Sequence, residues 1–405
     1  MSPVNDVLEQ LARLVRARKR AVMATVVHVV GSAYRREGAR LLVDENGSTW
    51  GSISGGCLES AVREAALAAL AAGRPRLLHF DMSADDDLVW GLGLGCNGRI
   101  DVFLEPVAAC GPQGPADGAE AGAPGYHETV LKARQEGRRL AVATVVAAAG
   151  GGGPPGKRLY VYEDRTEGTL GDDVLDHQAA EDARELLAGG ESRSYLYRVD
   201  GERLSVIRDR AAVVARRDEA GQVQVFIETI APPPRLFVFG AGHDVIPVTE
   251  MAAQAGFRVV VVDNRPAFAT AERFPRAHRV VRAHPDELPH YVALDDDTYV
   301  LVMTHNFHHD AAVLRRIWGR AYRYLGILGP WGRTEKLLGV LREEGYPVDE
   351  HLERLYAPVG LDIGAEGPEE IAVAIVAELL AVRRGAGGGF LRFRRGPLHQ
   401  SHRAG

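Results

Sequence analysis

The fold is decided by one stretch of the sequence, Leu236-Phe237-Val238-Phe239-Gly240-Ala241-Gly242-His243-Asp244-Val245. Its apolar half is typical of a buried strand, and the helical pattern after the glycines ends at Gly256. The next apolar run ends in Asp263, at the distance from the glycine turn where dinucleotide-binding folds place a ribose-binding acid. A strand, a glycine turn, a helix and a second strand in this order predict a Rossmann-type unit.

Each glycine of the turn has a predicted task. Gly240 permits a tight turn, and Gly242 allows the backbone to approach a phosphate. The start of the next helix supplies free N–H groups and a positive dipole end that would bind this phosphate. Val245 stands where the fingerprint has a third glycine, and its side chain crowds the contact between strand and helix. This replacement weakens the case for a dinucleotide.

The pattern of strands and helices continues beyond this unit. Further strands are predicted at residues 299–303 and 324–328, each followed by a helical segment, so residues 235–384 are predicted to form an α/β, doubly wound parallel sheet. Pro232-Pro233-Pro234 marks its boundary, because consecutive prolines continue neither a helix nor a strand ladder. The Gly- and Arg-rich residues 385–405 are expected to be a disordered tail.

Ligands bind such sheets beyond the carboxyl ends of the strands. Three groups of residues are expected there: the glycine turn from Gly240 to Asp244, which includes His243; Asp263-Asn264-Arg265; and Thr304-His305, with His308, His309 and Asp310 opening the next helix. His305 and His308 have a spacing found among metal ligands, but no second cluster supports a metal site, and solvated imidazoles at a helix start explain the pattern as well.

The N-terminal part has an α+β pattern that occurs twice. The first copy, residues 1–108, is separated from the second, residues 126–231, by a Gly-, Pro- and Ala-rich segment at 109–125 that is expected to be a flexible linker. The matches are Ala24-Thr25-Val26-Val27 with Ala143-Thr144-Val145-Val146, Leu41-Leu42-Val43 with Leu159-Tyr160-Val161, Gly51 with Gly171, and Val102-Phe103-Leu104-Glu105 with Val225-Phe226-Ile227-Glu228. They predict an internal duplication, although two ordinary strand–helix patterns could also coincide.

Two cysteines lie in glycine-rich loops of the first copy: Cys57, within Ser54-Gly55-Gly56-Cys57-Leu58-Glu59, and Cys96, within residues 91–98. A helix start favours the thiolate, which suits binding a soft metal or carrying a persulfide; a small buried thiol is the alternative. In place of the first motif the second copy has Asp172-Asp173-Val174-Leu175-Asp176-His177. The first copy is therefore expected to carry the chemistry.

Composition excludes several classes of protein. The net charge of −6, with 46% hydrophobic and 25% charged residues, is ordinary for a globular chain and gives no basic surface for nucleic acid or an anionic membrane. No apolar run is long enough to span a bilayer, and no secretory signal is visible. Three cysteines indicate a reducing compartment rather than a disulfide framework, so we expect a cytoplasmic protein.

Together these segments resemble the XdhC/CoxI family, the accessory factors of xanthine dehydrogenase and aerobic carbon monoxide dehydrogenase. The resemblance is carried by residues 51–59, 94–106, 239–243, 262–274, 303–310 and 358–372. It implies a protein, more an accessory factor than an enzyme, that binds molybdenum cofactor as molybdopterin or its nucleotide form, protects it and supports its sulfuration. The implied partners are a molybdenum hydroxylase apoenzyme, which receives the cofactor, and a cysteine desulfurase; a homo-oligomer is expected.

The residues expected to bind the cofactor fall into two groups. The first is the N-terminal motif with the second cysteine loop: Ser54, Gly55, Gly56, Cys57, Glu59 and Cys96. By the resemblance, Cys57 and Cys96 are the candidate molybdenum or sulfur contacts. The second is the Rossmann motif: Gly240, Gly242, His243, Asp263, Arg265 and His305. Two other functions stay open, an NAD-linked oxidoreductase, for which Asp263 is the best argument, and a non-catalytic nucleotide-binding scaffold.

Overall fold

The chain divides into two compact units between Pro232 and Pro233, called here the N-terminal and C-terminal units. The computed structural model describes residues 3–31, 33–82, 98–107, 125–150, 152–200, 203–209, 213, 219–285, 287 and 294–393. Cys96, Cys110 and the predicted linker up to residue 124 lie outside the described residues.

The first copy is an antiparallel sheet with helices on both faces. Its helices are α1 (Pro3–Arg16) and α2 (Glu59–Ala72), and its strands are β1 (Ala21–Gly31), β2 (Arg40–Asp44), β3 (Thr49–Gly51), β4 (Arg76–Asp81) and β5 (Gly98–Val107), in the order β3-β2-β1-β5-β4. Alternate residues of β1 point to opposite faces. Val22 and Ala24 pack in the cluster with α2, whereas Met23 packs in the cluster with α1.

The second copy repeats this order with one strand added. Its elements are α3 (Tyr126–Gln135), β6 (Leu140–Ala149), β7 (Arg158–Val161), β8 (Thr166–Gly168), α4 (Asp173–Gly189), β9 (Arg193–Asp200), β10 (Arg203–Ile207) and β11 (Gln222–Ile230), and its sheet order is β10-β9-β11-β6-β7-β8. Ala24 lies opposite Leu41 in the first copy, as Ala143 lies opposite Leu159 in the second. The predicted internal duplication is confirmed in the order and register of the strands.

One predicted match within the duplication is wrong. Gly51 pairs with Leu41, and the residue that pairs with Leu159 is Gly168 rather than Gly171. Gly51 and Gly168 have φ of +88° and +86°, and a Cβ on either would lie 2.4 or 2.5 Å from a carbonyl oxygen of the preceding strand. The β7–β8 hairpin is one residue shorter than its counterpart, and the equivalent of Gly51 lies three residues before Gly171.

The two copies share one core. Leu8 and Leu11 of α1 pack with Val130 of α3 in a cluster that also contains Met23 and Val142, from the central strand of each sheet. Each copy therefore buries an apolar face that would be exposed if it stood alone.

Reciprocal ion pairs link the copies at the edge of this core. Arg40 on β2 contacts Glu228 on β11, and Arg158 on β7 contacts Glu105 on β5, so equivalent strands supply equivalent partners in both directions. The phenol of Tyr126 also hydrogen-bonds with Arg40 and Glu228. Reciprocal contacts of this kind are those of a two-fold interface.

The C-terminal unit confirms the predicted doubly wound fold. Its strands are β12 (Arg235–Phe239), β13 (Arg258–Asp263), β14 (Arg279–Arg282), β15 (Thr298–Val302), β16 (Tyr324–Ile327) and β17 (Leu355–Tyr356), and its helices are α5 (Val245–Gln254), α6 (Phe307–Ile317), α7 (Trp331–Glu343) and α8 (Pro368–Arg384). The sheet is parallel, in the order β14-β13-β12-β15-β16-β17. Separate hydrophobic clusters cover its two faces, one with α5 and α8 and the other with α6 and α7.

From β12 the chain adds β13 and β14 on one side of the sheet and then β15, β16 and β17 on the other side. Such sheets bind ligands at the point where the strand order reverses in this way, here beside β12. Within the described residues, no helix combines the length and apolarity needed to cross a membrane.

Candidate functional site

A pocket lies at this reversal, beyond the carboxyl ends of the parallel strands. Its lining is Phe239, Gly240, Val262, Asp263, Asn264, Arg265, Ala283, Pro285, Thr304, Asn306, His309 and Val313. Of the residues expected from sequence, Gly240, Asp263 and Arg265 line the pocket, whereas Gly242, His243 and His305 are not in its lining. Asn264, Thr304 and His309, from the groups expected at these strand ends, also line the pocket, whereas Asn306 was not singled out.

Gly240 makes the turn that brings the three strand ends together. Its φ is +114°, and a Cβ there would lie 2.2 Å from the carbonyl oxygen of Met303. Its N–H donates to the carbonyl oxygen of Val262 at 2.8 Å. The turn therefore requires glycine for close packing between β12 and the residues after β15.

Asp263 is fully engaged by its own chain. Its carboxylate accepts hydrogen bonds from the backbone N–H of Ala241 at 2.8 Å and from the backbone N–H, Nε and Nη2 of Arg265 at 2.8, 2.9 and 2.7 Å. Burial alone would raise the pKa of Asp263, but the hydrogen bonds from Arg265 and Ala241 outweigh it and lower that pKa. The predicted ribose-binding acid thus holds the glycine turn and positions Arg265 in the pocket.

A second carboxylate and a histidine meet beside the glycine turn. Nε2 of His305 lies 2.8 Å from Oδ2 of Asp244, at the start of α5. His305 has a φ of +58°, which is uncommon for a residue with a side chain. Its predicted metal-ligand partner His308 is exposed, and the described residues contain no group of three His, Cys, Asp or Glu side chains that could hold a metal.

The start of α6 is held by side chains that also border the pocket. Asn306 caps the helix by accepting from the N–H groups of His308 and His309 at 3.0 and 3.1 Å. Thr304 donates to Asp310, which is 1% exposed and pairs with Arg333 at the start of α7. These contacts connect the ends of two strands, so the polar wall of the pocket is preorganised.

An aromatic side chain supports the cationic rim of the pocket. The guanidinium carbon of Arg265 lies 4.1 Å from the ring centroid of Phe268, and the ring of His243 meets the same Phe268 edge-on at 6.4 Å. His243 is exposed at this rim. Phe268 was not predicted as a site residue, because an apolar side chain in a loop gives no chemical signal in a single sequence.

The other predicted site is the loop between β3 and α2 in the N-terminal unit. Glu59 accepts from Ser52 Oγ at 2.9 Å and from the N–H of Ser54 at 3.0 Å, and Ser54 Oγ also donates to it. Burial would raise the pKa of Glu59, but these hydrogen bonds lower it. Glu59 thus fixes the shape of the loop that presents Cys57.

Cys57 lies just before α2, which begins at Glu59, and its side chain is half-buried. Gly55 and Gly56 before it are exposed, and nothing lies within 4 Å of a Cβ placed on Gly56. The ring of Tyr34, 65% exposed, lies 3.6 Å from a Cβ placed on Gly55. The two residues before Cys57 are therefore open backbone beside an exposed aromatic ring, which the sequence motif alone did not indicate.

The equivalent loop of the second copy has different roles. Asp172 caps α4 by accepting from the N–H of Leu175 at 2.9 Å, and Asp176 accepts from the N–H of Leu170 at 2.6 Å. With the corrected alignment, Asp176 is equivalent to Glu59, and the exposed Val174 is equivalent to Cys57. Two of the three aspartates that replace the cysteine motif in the second copy therefore stabilise the local backbone.

Comparisons with known proteins agree for both units. A family model described as the XdhC Rossmann domain matches residues 236–379, and one described as the XdhC and CoxI family matches residues 14–81 and 133–200. The second model therefore matches a stretch in each copy of the duplication.

Related proteins match along almost the whole chain. A protein of Bacillus subtilis (strain 168), described as a probable subunit of xanthine dehydrogenase, is 32% identical over 374 residues, which are 92% of this chain and 96% of that protein. The molybdenum cofactor insertion chaperone PaoD of Escherichia coli (strain K12) is 23% identical over 365 residues, covering 90% and 84%. A crystal structure described as a xanthine dehydrogenase from Bacillus halodurans has a TM-score of 0.70 at 31% identity, covering 95% and 96%.

Proposed function

The chain belongs to the XdhC and CoxI family, and from this premise we propose that it binds molybdenum cofactor and inserts it into a molybdenum hydroxylase apoenzyme of the xanthine dehydrogenase or carbon monoxide dehydrogenase type. One relative is named a molybdenum cofactor insertion chaperone and another a probable subunit of xanthine dehydrogenase. In this proposal the cofactor is cargo, and the protein is an accessory factor rather than an enzyme.

The observation that carries the proposal is the difference between the two copies of one fold. At equivalent positions, the first copy has the half-buried thiol of Cys57 after two exposed glycines, and the second has the exposed side chain of Val174. The scaffold is the same, so the fold itself does not require the thiol. A sulfur atom in an open glycine loop suits contact with molybdenum or its terminal sulfur.

The pocket of the C-terminal unit fits the rest of such a cargo. Molybdenum cofactor is a pterin dithiolene with a phosphate, so it presents a heterocycle edge that donates and accepts hydrogen bonds together with negative charge. The pocket offers Asn264, Thr304, Asn306 and His309 for the edge, and the guanidinium of Arg265 for the charge. We assign these five side chains to cofactor binding.

The proposal includes support of cofactor sulfuration, with a cysteine desulfurase as second partner, because the target hydroxylases need a terminal sulfur on molybdenum. Cys57 is the one of the three cysteines that lies within the described residues, and it is the candidate for receiving or protecting that sulfur. We also propose that the chain functions as a homo-oligomer.

Cofactor retention in purified variants tests the role of Cys57. The wild type, Cys57→Ala and Val174→Ala are produced in a host fed with molybdate, and molybdenum and pterin fluorescence are measured per mole of protein. Val174→Ala is the matched control, because it shortens the side chain at the equivalent position of the second copy. We expect Cys57→Ala to lose most of the bound cofactor and Val174→Ala to retain it.

The same measurement compares the three thiols. We expect Cys57→Ala to have a larger effect than Cys96→Ala or Cys110→Ala, with unchanged circular dichroism in each. If Cys57→Ala retains as much molybdenum and pterin as the wild type while Cys96→Ala loses both, the assignment of Cys57 is wrong.

A further inference from the structure

The glycine turn of the C-terminal unit is covered by the pair Asp244 and His305, called here the Asp244–His305 clasp. Oδ2 of Asp244 and Nε2 of His305 are 2.8 Å apart, and the contact joins the start of α5 to the end of β15. A Cβ placed on Gly242 would lie 2.4 Å from Oδ1 of Asp244 and 3.9 Å from Cδ2 of His305. The space above Gly242 is therefore filled by the chain's own side chains.

Dinucleotide-binding folds need that space. Their second glycine lets the backbone approach the pyrophosphate, which lies at the start of the following helix. Here the same place holds the carboxylate of Asp244, which is mostly buried at 16% side-chain exposure. Two negative groups at contact distance near a protein surface repel each other strongly, so a diphosphate would have to displace the clasp.

Nearby cations do not remove this obstacle. His305 is already paired with Asp244, and Arg265 lines the neighbouring pocket rather than the glycine turn. Asp263 has four donors from its own chain, so it is not prepared to accept ribose hydroxyls either. Val245, in the place of the third glycine, is fully buried. Of the fingerprint's functions, only the tight turn at Gly240 is kept.

We infer that Asp244 is a specificity-determining residue that excludes the diphosphate of NAD, NADP and ADP from the glycine turn. The pocket beside the turn stays accessible, because its lining comes from the ends of β12, β13, β14 and β15 and includes neither Asp244 nor His305. The C-terminal unit therefore keeps the fold of a dinucleotide-binding domain and directs its ligand to the pocket rather than to the turn.

Titration with NAD and with ADP, followed by calorimetry, tests this inference on the full chain. The variants are Asp244→Ala, which removes the charge and opens the turn, and Asp244→Asn, which removes the charge alone. Glu250→Ala is the control, because it removes the same charge from an exposed position on the same helix. We expect no saturable binding by the wild type or Glu250→Ala. Asp244→Ala should bind saturably, at least about tenfold more tightly than the weakest affinity that the titration resolves, with Asp244→Asn between them.

Two results would overturn the inference. One is micromolar binding of NAD or ADP by the wild type. The other is an Asp244→Ala variant that is folded by circular dichroism and binds neither ligand better than the wild type, which would make the clasp purely structural. If Asp244→Ala does not fold, Asp244→Asn decides in its place, with a gain supporting the inference and no gain overturning it. None of these titrations contains molybdenum cofactor, so their outcome is separate from that of the proposed function.

Discussion

Removing the carboxylate of Glu228 should destabilise the N-terminal unit strongly. Nη2 of Arg40 lies 2.6 Å from Oε1 of Glu228, and the two side chains are only 2% and 9% exposed. Nε and Nη1 of Arg40 have no hydrogen-bond partner among the described residues. In Glu228→Gln the guanidinium stays buried without its counter-charge, and we expect a loss of about 3–5 kcal/mol in the free energy of unfolding.

The duplication supplies a graded set of controls. Glu105, which pairs with Arg158 at the equivalent position, is more exposed at 18%, so Glu105→Gln should cost less than Glu228→Gln. Glu167, which pairs with Arg165 on the surface, is half exposed, and Glu167→Gln should cost about 0–1 kcal/mol.

Urea denaturation followed by circular dichroism gives these free energies, and a double variant isolates the charge effect. In Arg40→Met with Glu228→Met both charges are replaced by apolar side chains, so most of the loss should be recovered. The reasoning is refuted if Glu228→Gln costs no more than Glu167→Gln, or if the double variant is as unstable as Glu228→Gln.

Three further predictions follow from local geometry. Gly240→Ala should lower the free energy of unfolding by more than about 2 kcal/mol, because its Cβ would meet the carbonyl oxygen of Met303. The control is Gly339→Ala, in a helix where nothing lies within 4 Å of the added Cβ, and it should be neutral or stabilising by up to about 1 kcal/mol. Equal melting temperatures of the two variants would contradict this. Burial lowers the pKa of His127 below its ordinary value of 6.5, so as the pH falls the unfolded chain takes up the proton before the folded chain does. The folded state therefore loses stability as the pH falls below about 6.5. His127→Gln should flatten this part of the pH dependence of the free energy of unfolding, and an unchanged slope would refute the prediction. Asp172→Ala removes the cap of α4 and should cost about 1 kcal/mol while bound cofactor is retained, and loss of cofactor from a folded variant would show that the second copy also takes part.

The parts of the fold that depend on local pattern could be predicted from the sequence. The strand–glycine–helix–strand signal at residues 236–263 determines a βαβ unit within one short segment, and the repeated strands of the N-terminal part show the duplication directly. The match of Gly51 with Gly171 failed by three residues, because this segment contains two glycines, Gly168 and Gly171, and composition does not tell which of them ends the hairpin strand. Only the strand register identifies Gly168 as the equivalent residue.

The candidate site was predictable in location but not in detail. Gly240, Asp263 and Arg265 were placed correctly at the carboxyl ends of the strands, because topology determines that edge. The engagement of Asp263 by Arg265 depends on the loop conformation after β13, and the contact between Asp244 and His305 joins residues far apart in sequence. Such contacts depend on the distance between strand ends, which hydrophobic periodicity does not contain.

The central claim concerns delivery of the cofactor, and transfer to an apoenzyme tests it most directly. Protein from a molybdate-fed host is mixed with a cofactor-free molybdenum hydroxylase, and hydroxylase activity is measured together with the molybdenum content of both proteins after separation. We expect molybdenum to move to the hydroxylase and activity to appear in proportion with the wild type and Val174→Ala, but not with Cys57→Ala. A wild-type protein that carries no molybdenum or pterin, or that restores no activity while loaded, would contradict the proposed function.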